Sequence, residues 1–190
     1  LNIKYNNQQP KLYYNYAQLK AYSAPLSQKP ILLLQTGGGD MGDISSYNWA
    51  RDLPQELAQI IVNKYSSQYE IFQITRTNGY KLSNVRVVTE PLKNLALFAF
   101  INQSKKRFFI DSCLQHAAAA LGMPSTVFWI GTSSTTFGYK LHNNIHVKKS
   151  KIANQLIYSQ YFDYQFLDNE QECPYNNFTE MFDSNIINNL

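Results

Sequence analysis

Residues 108–124 read FFIDSCLQHAAAALGMP, and this stretch predicts a buried strand, a polar turn and a helix of small residues. Asp111 falls where the strand ends, and His116 falls in the first turn of the helix. A Gly-x-Pro sequence ending at Pro124 then stops the helix, and a second apolar strand follows at 125–130. Strand, helix and strand in this order are typical of a parallel sheet with crossover helices.

The same alternation runs along most of the chain, and it decides the fold class. The predicted strands are 31–35, 69–75, 85–88, 107–111, 125–130 and 145–147, with helices starting near 53, 91 and 113. This pattern predicts a Rossmann-like, three-layer α/β/α domain with a mostly parallel sheet of about six strands. The domain is expected over residues 30–190 and to end in a C-terminal helix, whereas the polar, Tyr-rich residues 1–29 are expected to form an arm or docking helix. Asp52 is predicted to be an N-cap.

Composition limits the classes of partner and compartment. The 190 residues carry a net charge of +4, a mild excess that suits anionic ligands such as nucleotide phosphates. The basic residues are scattered, so nucleic acid is not an expected partner. Cys113 and Cys173 lack metal-ligand spacing, and no apolar run approaches the ~20 residues of a membrane span. We therefore expect a cytoplasmic location, with contact to the inner face of a membrane left open.

Four loops are predicted to meet at one edge of the sheet, because right-handed crossovers bring all strand-to-helix loops to the same edge. These loops are 36–51, 75–80, 111–116 and 131–139. Ligands of open α/β sheets bind at this edge.

The start of the central helix is the first candidate site. Free N–H groups at a helix N-terminus attract phosphate, Ser112 adds a hydroxyl, and His116 can donate a hydrogen bond to an anion. Asp111 is suited to accept from a sugar hydroxyl. The alternative is that Asp111 is an N-cap and His116 a satisfied core residue. Cys113 is either a thiol with a lowered pKa or a small buried residue.

The glycine loop after the first strand is the second candidate. Thr36, Gly37 and Gly38 begin a loop that a ligand could approach closely, and Arg51 could bind a diphosphate in a bidentate manner. The alternatives are a flexible turn and a solvated surface arginine. The sequence lacks the Lys-Ser/Thr of a P-loop. His142 and His146 lie four apart but in a β-like segment, which argues against a metal pair.

The central stretch resembles the signature of family 9 glycosyltransferases, which are the heptosyltransferases of lipopolysaccharide synthesis and their relatives. Residues 109–124 are similar to its Asp-Ser-Gly pattern followed by His-x-Ala-Ala-Ala-Leu-Gly-x-Pro. VFWIGT at 127–132 and RDLP at 51–54 resemble its Phe-Gly-x-Thr and Lys-x-Trp-Pro segments. The resemblance covers about 31–147, with Cys113 in place of the usual glycine and Leu53 in place of tryptophan.

The resemblance implies one half of a GT-B fold, the C-terminal half that binds a nucleotide-diphosphate sugar without a metal or other cofactor. The donor-binding residues it implies are Asp111, Ser112, Cys113, His116, Arg51, Thr36, Gly37 and Gly38. A glycan or lipid-linked acceptor and the catalytic base are expected in a missing or separate half, so no catalytic residue is assigned here. The alternative function is a non-catalytic nucleotide-binding or interaction module. A third reading, a nucleotide-sugar epimerase, has less motif support. An unpartnered half would also leave an apolar face, which predicts self-association.

Overall fold

A computed structural model of the chain describes residues 10–15, 17, 19, 27–39, 48–89, 92–148, 173 and 175–190. Within these ranges the strands form one six-stranded sheet. The strands are β1 (Ile31–Gln35), β2 (Glu70–Ile74), β3 (Arg86–Val88), β4 (Ser104–Ile110), β5 (Thr126–Trp129) and β6 (Asn143–His146). The helices are α1 (Gln55–Tyr65), α2 (Asn94–Gln103), α3 (Cys113–Ala120), α4 (Ser134–Phe137) and α5 (Phe178–Met181), followed by a 3-10 helix at Ser184–Asn189.

The strand order is β3-β2-β1-β4-β5-β6, and each neighbouring pair is parallel. This is the order of a doubly wound Rossmann-like sheet, which confirms the predicted fold class. The chain leaves β1 toward one side of the sheet and leaves β4 toward the other. The carboxyl ends of β1 and β4 therefore flank the switch point, where ligands of this architecture bind.

The sheet is buried on both faces, and β1 explains why its sequence is a continuous apolar run. All five residues of β1 are buried. Leu32 and Leu34 pack on the face covered by α1, whereas Ile31 and Leu33 pack on the face covered by α2 and α3. Alternate side chains of a strand point to opposite faces, so a central parallel strand needs apolar residues at every position. Each fully buried side chain of this size contributes roughly 1.5–3 kcal/mol.

The small residues of α3 bring this helix close to the sheet. Ala117, Ala118 and Ala119 are all buried, and Ala118 is fully so. Leu114 packs beside them in the core. This contact fixes the N-terminus of α3 at the carboxyl end of β4.

The ends of the chain are only partly covered by the described ranges. The predicted arm at 1–29 lies largely outside them. At the other end, the residues that we predicted as a C-terminal helix include the 3-10 helix at Ser184–Asn189.

Candidate functional site at the switch point

The turn after β4 and the loop after β1 are joined directly at the switch point. Ser112 Oγ donates to Gln35 Oε1 at 2.6 Å, and Gln35 Nε2 donates to the carbonyl of Gly37 at 3.1 Å. Gln35 is the last residue of β1 and is buried. The start of α3 and the glycine loop are therefore held in one fixed arrangement.

Ser112, rather than Asp111, caps α3. Its Oγ accepts from the N–H of Leu114 at 3.3 Å, so the alternative that Asp111 is the N-cap is wrong. Cys113 is exposed, and partial shielding of its thiol raises the pKa against the lowering effect of a backbone hydrogen bond. Both sequence-based interpretations of Cys113 are therefore wrong: it is not a small buried residue, and the pKa of its thiol is not lowered.

Asp111 lies within a cluster of polar side chains from three parts of the chain. Burial raises the pKa of Asp111, while the Thr132 hydroxyl, Arg51 and His116 act in the opposite direction. Arg51 precedes α1, and Thr132 follows β5. All of these residues belong to the loops that the sequence predicts to meet at one edge, and Thr132 comes from the loop 131–139.

Two buried donors lie beside Asp111. Arg51 Nε has no hydrogen-bond partner in the described part of the chain, and the buried Thr132 hydroxyl interacts with the Asp111 carboxylate, whose pKa it lowers. Thr132 is 4% exposed. A buried donor left without a partner costs about 1–3 kcal/mol, so such groups are expected where a ligand supplies the acceptor. Arg51 as a whole is half-buried, so its Nε is shielded from solvent although the residue does not belong to the core.

The segment that carries Arg51 is positioned by its contacts with two strands. The N–H of Gly131 donates to the carbonyl of Ala50 at 2.7 Å, and the N–H of Leu53 donates to the carbonyl of Thr36 at 3.1 Å. A Cβ atom at Gly131 would lie 2.7 Å from the Cβ atom of Ala50. Glycine is therefore required at position 131 for this close approach.

Thr36 forms the base of the glycine loop and is fully buried. Its N–H donates to the carbonyl of Ile74 at 3.0 Å, and its Oγ1 accepts from Gln73 Nε2 at 2.7 Å. The polar groups of Thr36 are thus used within the protein, and the structure gives this residue a supporting role.

The glycine turn itself is held by an ion pair that the sequence did not predict. Asp52 Oδ1 accepts from the N–H of Gly38 at 3.3 Å and from Arg76 Nη2 at 2.5 Å. The N-cap of α1 is Pro54, without a side-chain hydrogen bond, so the prediction that Asp52 caps this helix is wrong. Among the described residues of this loop, Gly38 is therefore held by contacts with Asp52 and Arg76. The sequence feature that could have identified Arg76 as a site residue is its position, two residues after the buried strand β2.

His116 is held by Tyr139 and by its neighbour Gln115. Its Nδ1 lies 2.8 Å from Tyr139 Oη, and the two rings meet edge to face. Gln115 Nε2 lies 3.2 and 3.1 Å from the two ring nitrogens, so it sits over the ring face rather than in line with both lone pairs. Burial lowers the pKa of His116 against the raising effect of Asp111. Neutral imidazole, a hydrogen-bond donor without charge, is therefore favoured.

A cleft of about 640 Å³ opens beside this cluster. Gly37, Gly38 and Cys113 line it among the predicted residues, together with Arg76. Its lining also includes five apolar side chains: Ile74, Val88, Leu92, Leu97 and Leu114. The predicted site residues therefore fall into two groups: Gly37, Gly38 and Cys113 line the cleft, whereas Arg51, Asp111 and His116 do not. Gly38 lies next to the second group, because a Cβ atom at this position would lie 3.7 Å from the Arg51 guanidinium.

The described ranges contain no group of three or more His, Cys, Asp or Glu side chains arranged to hold a metal ion. No helix in them is both long and apolar enough to cross a membrane.

The class that fold and site define is a Rossmann-like domain with a cleft at its switch point. No family model matches the chain, and no curated protein matches it in sequence. Several solved structures match it, and two of them show the shared fold. ADP-heptose lps heptosyltransferase II of E. coli has a TM-score of 0.55 at 16% identity, over 79% of this chain and 49% of that one. The dodecameric iron-containing heptosyltransferase TibC, in complex with ADP-D-beta-D-heptose, has a TM-score of 0.53 at 16% identity, over 84% and 42%.

The chain therefore has a heptosyltransferase-like fold, which confirms the resemblance at the level of the fold. It spans less than half the length of each of these two proteins.

Proposed function

We propose that this chain is the donor-binding half of a glycosyltransferase and that it binds a nucleotide-diphosphate sugar at the switch point. The observation that carries this proposal is the buried Arg51 Nε, which has no partner in the described part of the chain, together with the buried Thr132 Oγ1, both beside Asp111. Donors in this arrangement suit an anionic, oxygen-rich ligand, because a phosphate supplies acceptors to both and is favoured by the helix dipole. The ADP-heptose complex of TibC supports the choice of ligand class.

Each part of the site has a role in this proposal. Arg51 and the N–H groups at the start of α3 hold the diphosphate, and His116 donates a hydrogen bond to it as a neutral imidazole. Asp111 accepts a hydrogen bond from a sugar hydroxyl. The apolar part of the cleft, which includes Leu92, receives the nucleoside.

The chemistry of this half is stabilisation of the leaving group. When the bond between the anomeric carbon and the diphosphate oxygen breaks, negative charge grows on the diphosphate. Donors already aimed at that position lower the energy of the transition state because they need no reorganisation. The acceptor and the base that deprotonates it are proposed to come from the rest of the enzyme, since the chain spans under half of its structural neighbours.

The alternative is a module that binds a nucleotide without turnover. Cys113, where the resemblance has glycine, favours it, because a side chain at this position narrows the approach to the start of α3. Sugar release from a nucleotide-diphosphate sugar by the full-length protein distinguishes the two functions. Release supports the enzyme, and tight binding without release supports the module.

Calorimetry with ADP, UDP and GDP tests the binding proposal. Arg51→Gln is expected to weaken binding of the preferred nucleotide at least ~10-fold, because it removes a charged bidentate donor. Arg86→Gln is the matched control, since Arg86 is 61% exposed on the edge strand β3. Equal affinity of Arg51→Gln and the parent protein, or no binding of any of the three nucleotides, would contradict the proposal.

A further inference from the structure

A second anion position lies at the glycine turn, and a carboxylate of the chain itself occupies it. One oxygen, Asp52 Oδ1, accepts from the backbone N–H of Gly38 and from the guanidinium of Arg76. A glycine N–H after the first strand and an arginine side chain are donors that bind phosphate oxygens in folds of this type. Asp52 Oδ1 therefore stands where a phosphate oxygen could stand.

The position is accessible from the cleft. Gly38 and Arg76 both line it, and the side chains of Arg76 and Asp52 are 13% and 22% exposed. Arg76 Nε also lies 3.4 Å from the carbonyl of Gly38, so the guanidinium is held against the turn by a second contact. Both donors thus border the cleft from which a ligand would approach, and displacement of the Asp52 carboxylate frees them.

The charges around Asp52 allow another anion to replace its carboxylate. Asp52 lies between Arg76, which pairs with it, and Arg51, which also favours its ionised form. Burial has the larger and opposite effect and raises the pKa of Asp52. An anion with more charge and more acceptor oxygens than a carboxylate, such as a phosphoryl group, competes well for an arginine.

We propose that Gly38 and Arg76 form a phosphoryl-binding position and that Asp52 fills it as an internal anion until a phosphorylated ligand displaces it. The identification of that ligand as a nucleoside diphosphate rests on the proposed function. The position itself recognises the phosphoryl group. Asp52 then lowers the affinity for the ligand, whereas an ion pair with a merely structural role would maintain it.

The experiment compares inorganic pyrophosphate and ADP by calorimetry on the full chain. Asp52→Asn is expected to bind pyrophosphate about five-fold more tightly, because removal of a competing ion pair of moderate strength frees Arg76. Arg76→Gln is expected to bind it about ten-fold more weakly. Glu70→Gln is the matched control: it makes the same change in charge in the Arg86–Glu70 ion pair, at the opposite end of β2.

The outcomes separate this inference from the proposed function. If the parent protein binds ADP but Asp52→Asn binds both ligands equally or less tightly, the inference is overturned and the proposed function stands. If pyrophosphate binds, and more tightly to Asp52→Asn, while ADP, UDP and GDP all fail to bind, the inference stands and the nucleotide proposal fails. If neither ligand binds any variant, both fail. Should Asp52→Asn not fold, as judged by circular dichroism, undiminished pyrophosphate binding by Arg76→Gln overturns the inference.

Discussion

Ser112 Oγ donates a 2.6 Å hydrogen bond to Gln35 Oε1 and so joins two residues that are 77 positions apart in the chain. The first residue caps α3, and the second ends β1. These two strand ends flank the switch point of the sheet. The hydrogen bond therefore sets the distance between the glycine turn and the start of α3, the two elements between which the proposed ligand binds.

Ser112→Ala is expected to destabilise the protein by about 2 kcal/mol. It removes a helix cap, worth ~1 kcal/mol, and takes a donor away from the buried Gln35 amide, which costs at least a similar amount. Urea unfolding at neutral pH measures the change. Ser83→Ala, at an exposed position, should stay within ~0.5 kcal/mol of the parent protein. If Ser112→Ala lowered the free energy of unfolding no more than the control, the hydrogen bond would not contribute to stability.

Gly131→Ala is expected to displace Arg51 and to weaken nucleotide binding. The new methyl group would lie 2.7 Å from the Cβ atom of Ala50, so the segment before α1 must move away from β5. We expect a loss of stability of about 1–3 kcal/mol, as for other overpacked sites, together with weaker ADP binding. Gly39→Ala is the control for stability alone, because a Cβ atom there has nothing within 4 Å although Gly39 lines the cleft. Unchanged ADP affinity in folded Gly131→Ala would refute the positioning of Arg51 by this contact.

Stability is expected to fall as the pH falls through the histidine range, because burial lowers the pKa values of His142, His116 and His146. Burial lowers the pKa of His142, and its Nδ1 is buried without a partner in the described part of the chain. His142 therefore binds a proton more readily in the unfolded chain than in the folded chain. Stability is complete above the ordinary histidine pKa of ~6.5 and declines below it, at up to about 1.4 kcal/mol per pH unit for one group.

Urea unfolding of the parent protein and of His142→Gln between pH 7.5 and 5.5 checks this prediction. The variant should show a flatter dependence on pH. The raised pKa values of Asp52 and Asp111 act with the opposite sign, since they make the folded chain bind protons more readily above about pH 4. An identical slope for both proteins would rule out His142 as the source.

Tyr139→Phe is expected to loosen His116 without unfolding the domain. The variant loses the hydroxyl that lies 2.8 Å from His116 Nδ1 but keeps the edge-to-face ring contact. Nitrogen-detected NMR of the imidazole should show a changed shift for Nδ1, and ADP affinity should fall by roughly the three- to ten-fold expected for one hydrogen bond. Tyr13→Phe, at a side chain that is 92% exposed, should change neither value. An unaltered imidazole spectrum for Tyr139→Phe would disprove the contact.

The fold was predictable because its signals are local. The apolar run of β1, the alternation of strands and helices, and the small residues of α3 each follow from short-range patterns of burial. The starts of elements were less certain: β4 begins at Ser104 rather than 107, and β6 begins at Asn143 rather than 145. The side chains at these strand ends are polar, and only pairing with neighbouring strands places them in the sheet.

The site was predictable as a meeting of loops but not as a set of contacts. Aspartate is a residue type that often caps helices, yet the Asp52 carboxylate pairs with Arg76, 24 positions further along the chain. Thr132 and Gln35 likewise acquire their roles only through strands that neighbour each other in the sheet. No local pattern identifies such partners, because the pairing depends on loop conformations that the whole fold sets.

The central claim is that a diphosphate binds between the glycine turn and the start of α3, and an NMR titration of the amide-labelled protein with ADP tests it most directly. The account predicts that the largest shift changes fall at Gly37, Gly38 and residues 112–114, and that they disappear in Arg51→Gln. Shift changes confined to other surfaces, such as the edge strand β6, or no changes at millimolar ADP, would contradict it.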